Sequence, residues 1–119
     1  MSSANYPKEA RLHSPSEFAK VFSNKRAIRG VLFTLHFCPN QQGYARLGLV
    51  IAKRNARRAV TRATIKRVIR EYFRHIRMQL PHQDIIFRLH KNIPFCSLTE
   101  LKKMVRQDID ILVTKLGGK

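Results

Sequence analysis

The sequence has only two cysteines and only seven acidic residues, and each shortage closes off a class of function. Cys38 and Cys96 lie far apart with no CxxC or Cys/His spacing around them. A zinc site is unsupported, and a disulfide would be out of place in a reducing compartment, so both read as ordinary buried or half-buried thiols. A metal-dependent nuclease needs carboxylates clustered around its Mg²⁺, yet Glu9, Glu17, Glu71, Asp84, Glu100, Asp108 and Asp110 are scattered along the chain. Only Asp108 and Asp110 are neighbours, and two positions apart on a helix they diverge. The histidines, at 13, 36, 75, 82 and 90, show no HxH, HxxxH or HExxH spacing, and no glycine-rich phosphate loop is present. No apolar run approaches a membrane span, and residues 1–13 lack the apolar stretch of a secretory signal. The chain reads as cytoplasmic, with no membrane partner and no catalytic or metal-ligating residue of its own.

What the sequence has in excess is positive charge. Lys and Arg number 24 against the seven acids, giving a formal net charge of +17 over 119 residues. Solubility does not require so much, and the charge would repel itself in a compact state unless a polyanion balances it. Hydrophobic residues at 44% argue against disorder, because such a chain can bury enough apolar area to offset its ordering entropy. The length suits one domain, 1–119, with residues 1–13 and 116–119 as loose termini.

Ser14-Pro15-Ser16-Glu17 is a helix start, with Ser14 as cap, Pro15 in the first turn and Glu17 placed to bond back. Phe18, Val21 and Phe22 then recur at helical spacing over about residues 15–23. Val31 to Phe37 alternates, with Val31, Phe33, Leu35 and Phe37 on one side and Leu32, Thr34 and His36 on the other, as in a half-buried strand. Residues 39–43 carry turn chemistry, and 46–52 read as the returning strand of a hairpin. Helical periodicity runs from Asn55 to Leu80, where Pro81 stops it. Residues 84–90 read as a strand that a helical crossover lets pair in parallel with 46–52. A second capping box at Ser97–Glu100 opens an amphipathic helix over 98–115, with Leu98, Leu101, Val105, Ile109 and Leu112 on one face. The fold class is α+β, one sheet with helices against it.

Residues 53–77 carry the main functional signal. Ile65, Val68, Ile69, Tyr72 and Ile76 fall on one stripe at about 100° per residue, which marks the buried face. Lys66, Arg67, Arg70, Arg74 and Arg77 gather opposite, with Arg62 at the edge. A surface tuned for stability mixes signs at i,i+4 spacing, whereas this stripe is almost all cationic. Lys53, Arg54, Arg57 and Arg58 lie near the positive end of the helix dipole, where cations are mildly destabilising. That placement suits phosphates met by guanidinium groups and free helix N–H groups together.

With these residues in hand, the chain resembles the protein subunit of bacterial ribonuclease P. The resemblance runs from RLHSPSEFAKVF at 11–22, through RLGLVIAKRNARRA at 46–59 and IKRVIREYFR at 65–74, to LPHQDIIF at 80–87. At the positions of the family's Arg-Asn-Arg run this chain has Arg62-Ala63-Thr64, so the carry-over is Arg62, Lys66, Arg67 and Arg70. The resemblance implies an αβββαβα two-layer sandwich with a left-handed βαβ crossover around the basic helix. It implies partners in the ribonuclease P RNA and precursor tRNA, with no obligatory protein partner evident, and endonucleolytic removal of the 5′ leader. The RNA subunit is expected to perform the hydrolysis with Mg²⁺ held mainly by RNA and substrate.

The resemblance also implies that Phe18, Phe22 and, more weakly, His36 line a cleft for the single-stranded leader, where aromatic faces stack on unpaired bases. On sequence alone both phenylalanines fit a plain core role equally well. A structural RNA-binding protein with no associated catalysis, ribosomal-protein-like, fits the composition and the basic helix too. A major-groove DNA reader fits less well, since the stripe offers Lys and Arg but no Asn or Gln to read base edges.

Overall fold

Serine caps set the starts of the first and last helices. Ser14 accepts the backbone N–H of Glu17 while the Glu17 carboxylate accepts the N–H of Ser14 and of His13, and the closed box starts helix α1, Pro15–Ser23. Three strands follow, β1 (Ala27–Arg29), β2 (Phe33–Pro39) and β3 (Arg46–Val50), then helix α2 (Ala59–Ile76), a 3-10 turn at Arg77–Gln79, strand β4 (Gln83–Leu89) and helix α3 (Leu98–Leu116). The computed structural model describes residues 10–117. At α3 only the forward half of the expected box is seen, Ser97 accepting the N–H of Glu100 at 3.1 Å.

The sheet order is β1-β2-β4-β3, with β3 and β4 parallel and the other pairs antiparallel. The expected hairpin of 31–37 with 46–52 therefore does not form, because β4 lies between the two strands. Ile85, Ile86 and Phe87 are consecutive and all buried, the signature of a strand covered on both faces, and such a strand takes the centre. β3 carries Gly48 and half-buried positions and takes the edge. The hairpin that does form joins β1 to β2, closed by the Gly30 N–H donating to the Phe33 carbonyl at 2.7 Å. Val31, expected at the start of the strand, is exposed in that turn.

Alternation sorts the sheet into two faces. Phe33, Leu35, Leu47, Ile85, Phe87 and Leu89 meet Ile65, Val68, Ile69 and Phe73 of α2 and Leu101, Val105, Ile109 and Leu112 of α3, which makes the main two-layer body. On the opposite face Cys38, Ile86 and Val50 pack against Leu12, Phe18, Val21 and Phe22, so α1 covers part of that side. β2 is consequently covered on both faces where α1 lies, not half-buried as its pattern implied. In α2 the buried stripe includes Phe73, while Tyr72 and Ile76 lie half-buried at its flank. Ile65, Ile69 and Phe73 are successive i,i+4 positions and point the same way, and Tyr72 turns its hydroxyl to Asp110 at 2.5 Å.

Helix α2 begins four residues later than its periodicity suggests. Asn55 and Ala56 are buried in a turn closed by their N–H groups on the Ala52 carbonyl, and Arg58 is the extended N-cap. The expected loose ends are partly ordered as well. Ala10 and Leu12 are buried, the Leu12 N–H donates to the Leu47 carbonyl at 2.9 Å, and α3 runs through Leu116 to a left-handed Gly117. Residues 1–9 and 118–119, the rest of those ends, lie outside the described residues.

Two carboxylates fasten the layers. Asp108 of α3 is buried and accepts the N–H groups of Val31, Leu32 and Phe33 at 2.9, 3.1 and 3.0 Å, gripping the β1–β2 turn. Gly30 permits this approach, since a Cβ there would stand 2.8 Å from the Asp108 carboxylate. Asp84 of β4 receives Arg46 through Nε and Nη2, both at 2.8 Å, and Arg46 also reaches Glu17 of α1 at 3.2 Å. Backbone N–H donation from His13 and Ser14, assisted by Arg46, holds the Glu17 carboxyl below its usual range.

Candidate nucleic-acid interface

The outer side of α2 bears the cationic row. Arg62, Lys66, Arg67, Arg70 and Arg74, with Ala63 between them, line an open groove of about 610 Å³. Arg74 pairs with Glu71, and that guanidinium holds the Glu71 carboxyl below its ordinary value. Among the described residues Lys66, Arg67 and Arg70 have no carboxylate oxygen within 4 Å. Arg62 bends back, donating from Nη1 to the carbonyls of Ala56 and Arg57 at 2.9 and 2.8 Å, so it also fixes the turn before the helix. Thr64 is turned onto its own helix, donating to the Val60 carbonyl at 2.8 Å.

Lys53, Arg54, Arg57 and Arg58 are exposed in that turn, ahead of α2 rather than within it. The helix start they surround has no side-chain cap and no acid in its first turn. Its first N–H groups therefore lack the usual intrahelical acceptors and the usual substitute for them.

The second feature is the face of the sheet that α1 covers only in part. Phe18 lies against the backbone of β3 at Gly48, where a Cβ would come within 2.8 Å of the ring. Phe22 meets His36 edge to face, with ring centroids 4.8 Å apart. Both phenylalanines are half-buried, each resting one side on the sheet cluster. His36 accepts from Arg88 Nε at 3.0 Å, and burial together with the Arg88 charge keeps the imidazole below its ordinary pKa. Arg29, Thr34 and Arg88 stand in register across β1, β2 and β4 on this same face. Thr34 is 5% exposed, and its hydroxyl has no hydrogen-bond partner among the described residues.

Sequence reading had no route to Arg88, Arg29 or Thr34 as a group, because only strand register brings them together. Phe18, Phe22 and, more weakly, His36 were expected in one neighbourhood through the family resemblance, and Phe22 and His36 are in contact. The structure also joins that neighbourhood to the basic row: Phe18 and Gly48 share a small cavity of about 140 Å³ with Lys66 and Arg70, around the edge of β3. Among the described residues no three His, Cys, Asp or Glu side chains converge as metal ligands, and no helix is long and apolar enough to cross a membrane. Asp84, Asp108 and Glu17 are committed to the fold contacts already described.

The fold and this surface define a single-domain α+β protein whose crossover helix presents a cationic row beside an aromatic cleft. The chain belongs to the ribonuclease P protein family: the family model described as Ribonuclease P matches residues 6–115. It is similar to the Ribonuclease P protein component of Bordetella parapertussis, 50% identical over 122 residues that cover 98% of this chain and 99% of that protein. It is also similar to the Ribonuclease P protein component of an Azoarcus strain, 45% identical over 97 residues, covering 82% and 81% of the two chains. Among solved structures, the RNase P protein from Thermotoga maritima superposes with a TM-score of 0.72 at 25% identity, over 88% of this chain and 96% of that one. The RNase P protein from Staphylococcus aureus gives 0.74 at 19% identity, over 96% and 94%, a likeness of fold. Membership makes the chain a protein component of a ribonuclease P, part of an endoribonuclease complex that processes tRNA.

Proposed function

We propose that this protein grips the ribonuclease P RNA with the cationic row of α2 and the arginines ahead of it, and guides the 5′ leader of precursor tRNA through the cleft beneath α1. The observation that carries the reading is the cavity shared by Phe18, Lys66 and Arg70, which makes the cleft and the cationic row one continuous surface. An unpaired leader can then stack a base on Phe18 or Phe22 while its phosphates meet guanidinium and ammonium groups alongside. His36 and Arg88 extend the same track across the sheet. Contacts of this kind are backbone and stacking contacts, which hold any leader without reading its sequence.

On this reading the chain binds and orients, and hydrolysis belongs to the RNA subunit with Mg²⁺ held by RNA and substrate. The protein's part is to offset phosphate repulsion as RNA and substrate come together. Such help counts most when divalent cations are scarce.

The test is reconstitution: the purified chain is added to a bacterial ribonuclease P RNA at low Mg²⁺, and cleavage of precursor tRNA is followed. Rescue of 5′-end formation is expected. RNA binding without rescue would reduce the protein to a structural RNA-binding role.

A further inference from the structure

Phe95 is 94% exposed, the most solvent-facing large apolar side chain among the described residues. Its segment is nonetheless fastened. The Ile93 N–H donates to the Asn55 carbonyl at 2.8 Å, the Asn55 amide donates to Asn92 Oδ1 at 3.0 Å, and Pro94 fixes the backbone immediately before the ring. Asn55 itself is buried. The ring is held out in water by a braced loop, and what makes it informative is the surface beside it.

The same bracing brings the loop against the arginine turn ahead of α2. Ile93, Pro94, Phe95 and Cys96 form one side of a cavity of about 430 Å³, and Arg54, Arg57 and Arg58 form the other. That volume falls within the range of about 300–1,000 Å³ usual for small-ligand sites. The cavity shares no lining residue with the groove on α2 or with the small cavity at Phe18. The N-cap Arg58 and Thr61 in the first turn of α2 also line it, and that helix start has no side-chain cap and no acid in its first turn.

An exposed aromatic ring at a cavity that three cations also line suits a ligand that is both flat and anionic, and a nucleotide is both. A peptide would have to bring an aromatic group and several acids in one short stretch, whereas every residue of RNA brings a π-face and a phosphate. We infer that this cavity receives an unpaired nucleotide of the ribonuclease P RNA, its base stacked on Phe95 and its phosphate held by Arg57, Arg58 and the N-terminal N–H groups of α2. The inference rests on the proposal that the basic side of α2 meets that RNA, and adds a base-holding seat separate from the leader cleft.

Binding of the full-length chain to ribonuclease P RNA is measured across a salt series for the wild type, Phe95→Ala, Phe95→Leu, Phe95→Tyr, Phe95→Trp and Arg57→Ala. Phe95→Ala should weaken binding by about tenfold, the scale of one base stack, without changing the slope against salt, because no phosphate contact is lost. Tyr and Trp should restore affinity and Leu should not. Arg57→Ala should flatten the slope. Wild-type affinity in Phe95→Ala, or full affinity in Phe95→Leu, overturns the stacked base while leaving the role of α2 intact. Holoenzyme assembled with Phe95→Ala should bind precursor tRNA as the wild type does. A loss there, with affinity for the RNA subunit unchanged, would make the substrate the occupant and overturn the assignment. A wild type that fails to bind the RNA at all removes both this inference and the reading beneath it.

Discussion

Asp108 illustrates how little a residue's type says about its work. In the sequence it is one of a few scattered acids; in the fold its two oxygens take three consecutive N–H groups from the turn between β1 and β2. Removing it strands those donors, and two of the three bonds are buried. Replacement of Asp108 by Ala should cost about 2–5 kcal/mol, the usual penalty for leaving buried polar groups unpaired. Urea unfolding monitored by circular dichroism measures this, and a loss below about 0.5 kcal/mol, the scale of an ordinary surface substitution, would show the turn holds itself. The same proximity constrains Gly30, whose missing side chain leaves room for the carboxylate.

At the scale of elements, the helices were largely legible and the sheet was not. Helix α1 announces itself because its cap, its proline and its glutamate are local signals, and α3 likewise shows its apolar stripe. The row of Lys66, Arg67 and Arg70 was readable because helical periodicity alone fixes which side they occupy. β1 is three residues long with two of them exposed, too short for any alternation to register. The neighbour of β2 is set by a strand that arrives some forty residues later, which no local pattern can encode. Arg88 and Thr34 become a pair only through that pairing, and Phe95 acquires meaning only when its loop meets the arginine turn. Since Arg67 and Arg70 both project away from the core, replacing the two with Ala should weaken RNA binding by tenfold or more, about 0.7–0.9 of a salt-slope unit being lost per phosphate contact. The far-ultraviolet circular dichroism spectrum should be unchanged. A collapse of helicity in the double variant would mean these side chains support the fold.

The molecule as a whole carries a formal charge of +17, and its ion pairs among the described residues draw on few of its cations. Association with RNA should then be driven largely by release of counterions. The logarithm of the binding constant should fall linearly with that of salt, by about 0.7 per phosphate on single strands and 0.9 on duplex. A titration that stays flat between low and physiological salt would contradict this. The sheet order has a further consequence for synthesis. While the nascent chain is still emerging, β2 and β3 cannot bond to each other in their final arrangement, because a vacant slot one strand wide separates them. The slot is filled only when residues 83–89 clear the ribosome. Until then two edges rich in valine, leucine and phenylalanine stand open, and the crossover helix has no completed floor to rest on.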